Sequence, residues 1–282
     1  MWIRLLKPSD ITHLVATALQ EDIGDGDVTA QLIDANACAQ ATIISREAAV
    51  ICGCDFVDEV FRQLGTDIAV DWRVHDGDEV TPNTLLCTLG GNARTLLTGE
   101  RTALNFLQTL AGTATLTRAY VNAIGAHKTR LLDTRKTLPG LRLAQKYAVA
   151  CGGGMNHRIG LYDAFLIKEN HIQAAGSIAG AVDAARRVSA DLLLEVEVET
   201  FAQLDECLDC GVERVLLDNF SLDDLGTVVT RVDGRAALEA SGNIDLETIH
   251  AVAQTGVDFI STGAITKHVR AVDLSMRFDD SL

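Results

Sequence analysis

The residues best suited to chemistry lie in 131–172, LLDTRKTLPGLRLAQKYAVACGGGMNHRIGLYDAFLIKENHI. From Arg130 to Lys168 the chain carries seven Lys or Arg (Arg130, Arg135, Lys136, Arg142, Lys146, Arg158 and Lys168) and His157, against two acids, Asp133 and Asp163. The whole chain has a formal net charge of −15, so the sign is reversed locally. A cationic segment in an acidic protein points to a pocket for an anionic small molecule, because the overall field does not draw anions in. Arg offers a rigid fork for carboxylate or phosphate and Lys a compact charge, which suits a substrate with two or more acidic groups. Arg142 and Lys146, four apart on one helix, read instead as partners of surface acids.

A second group is acidic. Glu195, Glu197 and Glu199 alternate in LLLEVEVE and share one face of a strand. Such carboxylates are costly in a buried strand unless a cation offsets them. With Asp218 they form a candidate Mg²⁺ site, because Mg²⁺ takes one or two carboxylates plus waters and ligand phosphates. The competing reading is a salt bridge to one of the lysines. A third group is made of loops: Ser241-Gly242-Asn243 and Thr262-Gly263-Ala264 follow the last two strands, where barrels often bind phosphate on backbone N–H groups.

Other candidates carry less. Asp22, Asp25 and Asp27 lack calcium-loop spacing and read as a solvated turn. Cys207 and Cys210 form a CxxC and Cys52 and Cys54 flank Gly53, but neither pair has a second pair or a nearby His at zinc spacing, so both read as packing. Arg101 lies on a helical pattern, and its spacing alone gives it no role.

These residues need elements to position them. Helical spacing appears at 9–24 and 54–64, a strand at 41–50, short alternating strands across 68–89, and a helix over 96–110 that ends at Ala111-Gly112. Beyond that point apolar runs at 131–133, 164–168, 192–199, 215–218, 237–241 and 259–262 alternate with helical patterns at 138–151, 177–188, 200–210, 222–232 and 245–255. That alternation predicts βαβ units and a parallel sheet. Each run ends on a polar or small residue, Asp133, Lys168, Glu197, Asp218, Ser241 or Thr262. A ring of such residues at strand C-termini favours a barrel. An open dinucleotide-binding sheet is disfavoured because GxGxxG is absent.

Composition bounds the rest. At 282 residues and 48% hydrophobic, the chain has material for one large and one small folded unit. Its acidity argues against nucleic-acid binding. No apolar run approaches a membrane span, the N-terminal apolar stretch is too short for a secretory signal, and seven cysteines, an odd number, fit a reducing cytoplasm.

The assembled blocks EDIGDGD (21–27), GERTALNFLQ (99–108), DTRKTLPGLR (133–142), GGGMNHR (152–158), LIKENHI (166–172), EVEVE (195–199), LLDN (216–219), EASGNI (239–244) and GVDFISTGAITK (256–267) resemble the quinolinate phosphoribosyltransferase family. The resemblance implies an α/β protein: an N-terminal α/β sandwich over 1–112, an incomplete seven-stranded α/β barrel over 113–269, and a segment 270–282 packing back on the N-terminal domain. It implies a homodimer, with larger assemblies left open, and transfer from phosphoribosyl pyrophosphate to quinolinate with Mg²⁺, giving nicotinate mononucleotide, pyrophosphate and CO₂ in NAD biosynthesis. It further implies that Thr134, Arg135, Lys136, His157, Arg158 and Lys168 bind quinolinate and that Arg101 arrives from the partner subunit. By the same resemblance Lys136, Glu197 and Asp218 are catalytic, and Glu197 and Asp218 are the acids near Mg²⁺. Lys136, Lys168, Glu197, Asp218, Ser241, Gly242, Asn243, Thr262, Gly263 and Ala264 contact the phosphoribosyl donor. Two other classes remain open from the residues alone: a Schiff-base aldolase using Lys136 or Lys168, and a protein that binds the dicarboxylate without turnover.

Overall fold

The structure, a computed structural model, describes residues 6–65 and 67–279; 1–5, 66 and 280–282 lie outside that description. The chain divides into two compact units. The first takes the chain up to Arg118, Leu138–Gly153 and the chain from His268 on; the second takes Ala119–Thr137 and Gly154–Lys267.

The first unit is built on an antiparallel sheet whose strands lie in the order Leu274–Phe278, Cys38–Ser45, Thr84–Asn92, Ala69–Trp72. Alternation in Cys38–Ser45 buries Ala39, Ala41, Ile43 and Ser45. The three apolar members share one core with Phe56, Val57, Val60 and Phe61 of helix Cys54–Leu64. Burying Phe56 and Phe61 contributes roughly 1.5–3 kcal/mol each. From the segment 270–282, residues 274–278 pair with that same strand, Leu274 opposite Ser45 and Phe278 opposite Ala41.

The break expected at Ala111-Gly112 is absent, since one helix runs Ala93–Ile124. A Cβ at Gly112 would lie 2.2 Å from the carbonyl oxygen of Arg270. Glycine there permits close approach of another backbone and does not end the helix. A second correction concerns Lys146. Its helix, Arg142–Cys151, starts later than expected because Pro139 and Gly140 hold the preceding turn, and Lys146 is fully buried, so it is not a surface charge.

The second unit holds the parallel sheet. Its strands lie in the order Arg130–Leu132, Phe259–Ser261, Ala237–Ser241, Arg214–Asp218, Leu194–Val198, Phe165–Ile167. A single parallel bridge from Met155 to Leu132 adds a seventh position beside the first strand. Among the described residues no ladder joins Phe165–Ile167 back to the other edge, so the barrel is incomplete. Helices Ile178–Val188, Phe201–Asp209 and Leu222–Val232 start on Ser177, Thr200 and Ser221, whose hydroxyls accept from the N3 amides. Each cap contributes about 1 kcal/mol. Among the described residues no helix is long and apolar enough to cross a membrane.

Candidate active site

Register decides which side chains enter the barrel, because paired residues of parallel strands point to one face. Glu195 pairs with Arg214 and Glu197 with Leu216; Leu216 pairs in turn with Glu239, and Asp218 with Ser241. The inward face therefore carries charged and polar groups in place of the usual apolar layers. Val196, Val198, Val215 and Leu217 take the other face and are fully buried. Glu199 leaves this set: it is exposed beyond the strand end, where its N–H donates to Gln203.

The deep part of the barrel is an acid pair with cations around it. Glu195 and Glu239 are almost completely buried. His157 Nε2 lies 2.8 Å from Glu195 and 3.6 Å from Glu239, while Arg214 lies 3.9 Å from Glu239 and stacks on Phe259 at 4.3 Å. The four carboxylate oxygens have no donor in good hydrogen-bond geometry. Burial first, and then the neighbouring Glu195 charge, push Glu239 up to about 8; burial likewise raises Glu195. The pair therefore shares a proton near neutrality, because two adjacent buried carboxylates cannot both ionise cheaply.

His157 links this layer to the mouth. Its ring Nδ1 accepts from the Arg158 N–H at 2.7 Å, which leaves Nε2 to face the acids. Asp133, fully buried at the end of the first strand, accepts from the His157 N–H at 2.8 Å and from the Asn156 side-chain amide at 2.7 Å. The glycine-rich turn before His157 is thus held from below.

At the mouth the cations are unmatched. Arg135 and Lys136 are exposed, and neither has a carboxylate partner among the described residues. Arg158 is half-buried; burial, and after it the charge of Arg135, hold its guanidinium below the usual value. Lys136 is placed by its neighbours: its N–H donates to Thr134 Oγ1 at 3.0 Å and its carbonyl accepts from Thr266 Oγ1 at 2.8 Å. A Cβ on Gly263 would come within 2.7 Å of the Lys136 side chain, so this glycine makes room for it. Thr262 is buried, its hydroxyl donating to the Ile244 carbonyl at 3.2 Å and accepting from the Ala264 N–H at 3.2 Å.

Opposite the cations stand the acids. Lys168 Nζ bonds Glu197 Oε2 at 2.5 Å, which realises the salt-bridge reading for one of the three glutamates. Asp218 accepts from Ser241 Oγ at 2.7 Å and from the Asn219 amide at 2.9 Å. Gly242 is at φ +100, and a Cβ there would strike Asn219 at 2.2 Å, so the 241–243 loop can close on Asp218 only through glycine. Arg101 belongs to the first unit, exposed on the long helix and 4.0 Å from Glu100. Sequence reasoning passed over Glu239, Arg214 and Asp133 as functional groups. A charge in the middle of an apolar strand, as in ALEAS, was the available signal.

Comparison with known proteins identifies the family. Residues 27–111 match the family model described as quinolinate phosphoribosyl transferase, N-terminal domain, and 113–277 match the C-terminal domain. A quinolinate phosphoribosyltransferase [decarboxylating] 1 of Nicotiana glauca is 38% identical over 294 residues, covering 97% of this chain and 83% of that one. The solved nicotinate-nucleotide pyrophosphorylase of Francisella tularensis superposes with a TM-score of 0.97 at 50% identity, covering 99% of each chain. NadC from Streptococcus pyogenes gives 0.94 at 38%, covering 98% and 99%. With both domain models matched in order along one chain, this protein belongs to the quinolinate phosphoribosyltransferase family.

Proposed function

We propose that this protein transfers the phosphoribosyl group of phosphoribosyl pyrophosphate to quinolinate with decarboxylation, yielding nicotinate mononucleotide, pyrophosphate and CO₂ for NAD biosynthesis. The observation that carries the reading is the unpaired cation group at the barrel mouth, where Arg135 lies close enough to oppose the charge of half-buried Arg158. A dianion between them relieves that repulsion, and two guanidinium forks suit two carboxylates. Thr134 and Lys136 flank Arg135 in the chain. His157, with both ring nitrogens engaged inside the chain, orients the loop that carries Arg158.

The second substrate falls to the other wall. Glu197 and Asp218 face the ribose, where loss of pyrophosphate leaves positive charge on the anomeric carbon that carboxylates stabilise. Lys168, bonded to Glu197, keeps that carboxylate oriented until substrate arrives. The loops 241–243 and 262–264 take the 5′-phosphate. The ring nitrogen of quinolinate is the nucleophile, so no side chain need attack. Decarboxylation then leaves its electron pair beside the positively charged ring nitrogen, and the site has to hold and desolvate the adduct.

Glu197 and Asp218 also fit Mg²⁺. They are hard oxygen donors at the ends of neighbouring strands, and two carboxylates completed by water and phosphate oxygens are what this ion takes. Held by these two residues, the ion would offset charge on the leaving pyrophosphate. Arg101 is assigned to the site of a second copy in a homodimer. A cytoplasmic location is supported by seven free cysteines.

Incubation of the pure protein with both substrates and Mg²⁺, followed by chromatography, tests the reading. Equimolar nicotinate mononucleotide and pyrophosphate are expected. Quinolinate binding without either product would overturn it in favour of a metabolite-binding protein.

A further inference from the structure

Within the first unit, the chain gathers two thiols, a carboxylate and a phenol that the reaction does not use. Cys52 Sγ, Cys151 Sγ and an Asp76 carboxylate oxygen all lie within 4.8 Å of one another. Cys52 is fully buried, whereas Cys151, the last residue of helix Arg142–Cys151, is partly exposed. The Cys52 thiol lies beside the Cys151 sulfur, and Tyr147, one helical turn before Cys151, donates its hydroxyl to Asp76.

We propose that Cys151 is a site of thiol oxidation by peroxide and that Cys52 resolves it, closing a Cys52–Cys151 disulfide. The residues are graded for these two roles. Cys52 beside it lowers the Cys151 thiol, against the opposing effects of burial and of the Asp76 carboxylate, while burial pushes Cys52 well up. Cys151 is therefore the more acidic and the more accessible partner, and Cys52 the protonated one behind it. The other cysteines lack this arrangement. Cys54, Cys87, Cys207 and Cys210 are all raised, burial being the main cause in each case.

The same atoms could suggest a metal centre, and Asp76 argues against one. Its Oδ1 accepts the N–H groups of Gly53 at 2.9 Å and Cys54 at 3.1 Å, at the start of helix Cys54–Leu64, and its Oδ2 accepts the Tyr147 hydroxyl at 2.9 Å. Three donors leave this carboxylate little to offer a cation. Two sulfurs alone fall short of the four ligands a structural zinc requires.

The chemistry balances with hydrogen peroxide as oxidant. The Cys151 thiolate attacks one peroxide oxygen; an S–O bond forms, the O–O bond breaks, and the departing hydroxide takes a proton to become water. Cys52, giving its proton to the second leaving hydroxide, then attacks the Cys151 sulfur; S–S forms, S–O breaks, and another water leaves. Two thiols lose two electrons and one peroxide becomes two waters. Closing the bond brings sulfurs that lie within 4.8 Å of each other to about 2.05 Å. The bond would tie the strand leading into Gly53 to the helix end, from which the chain passes through Gly152-Gly153-Gly154 to His157 and Arg158.

The test uses the full-length protein, reduced, desalted and titrated with hydrogen peroxide, then alkylated and mapped by peptide mass spectrometry. One linked peptide pair, Cys52 with Cys151, is expected, along with loss of two alkylatable thiols and their recovery on reduction. In Cys52→Ser, Cys151 should accumulate as a sulfenic acid trapped by a dimedone probe. In Cys151→Ser, Cys52 should stay reduced. The assignment is overturned if peroxide leaves Cys151 alkylatable, if linkage goes through Cys54, Cys207 or Cys210, or if protein purified without chelator retains one equivalent of zinc that Cys151→Ser loses. Because the readout is mass and not turnover, it stands independently of the proposed reaction.

Discussion

Replacing Glu239 with Gln isolates the proton held in the barrel. The carboxyl sits at about 8 in the fold against an ordinary value of 4.5, through burial and then the neighbouring Glu195. Between those values the unfolded chain has lost this proton and the folded chain keeps it. Stability is therefore whole below pH 4.5 and declines as pH rises toward 8. The slope for one such group is about 1.4 kcal/mol per pH unit, so from pH 5.5 to 7.5 the loss reaches at most about 3 kcal/mol. At about 2 °C per kcal/mol for a chain of this size, that is a Tm change of roughly 5 °C, and about half if Glu195 shares the proton. Gln keeps the shape and the neutral state but cannot ionise. The Tm of Glu239→Gln minus that of the natural protein should widen by about 3–5 °C over this interval. Differential scanning fluorimetry at constant ionic strength reads it directly. Parallel Tm curves across pH 5.5–7.5 would refute a proton held on Glu239.

Glu197→Gln removes the charged partner of Lys168 and one wall of the ribose site, so kcat should fall by about 10²–10³, with quinolinate affinity by calorimetry changed less than about threefold; an unchanged kcat would sink its role. Gly263→Ala pushes on the Lys136 side chain, and kcat/KM should drop about tenfold, equivalent to about 1.4 kcal/mol, with Tm lowered by no more than about 2 °C. A Tm collapse there would mean the glycine serves the fold instead. Finally, Arg101→Ala and Lys136→Ala should each be inactive alone, while a random mixture of the two chains should recover about a quarter of full activity, from the one intact site in each heterodimer. Verified heterodimers without activity would count against a shared site.

Much of the second unit was legible because its signals are local. Apolar runs alternating with capped helices announce parallel strands, and residues such as Lys168, Glu197 and Asp218 stand at or just past strand ends wherever the strand boundary falls. The cation group was visible for a similar reason, since a reversal of charge over 39 residues needs no coordinates to detect. The acid row was only half legible. Alternation put three glutamates on one face, but depth along the strand sorted them: Glu195 inside, Glu197 at the mouth, Glu199 in solvent.

What tertiary structure alone decided are the meetings of distant residues. His157, Glu195 and Glu239 converge from three segments spread across residues 157–239, and the proton shared by the two acids follows from a burial that no window of sequence contains. Gly112 read as a helix end and Gly263 as part of a phosphate loop, yet their missing Cβ atoms also make space for the 270 backbone and for Lys136. Cys52 read as packing, and only the fold sets Cys151 beside it. Periodicity, caps and charge are properties of neighbours along the chain and survive in the sequence; pairing, burial and shifted protonation depend on neighbours in space, which only the folded chain supplies.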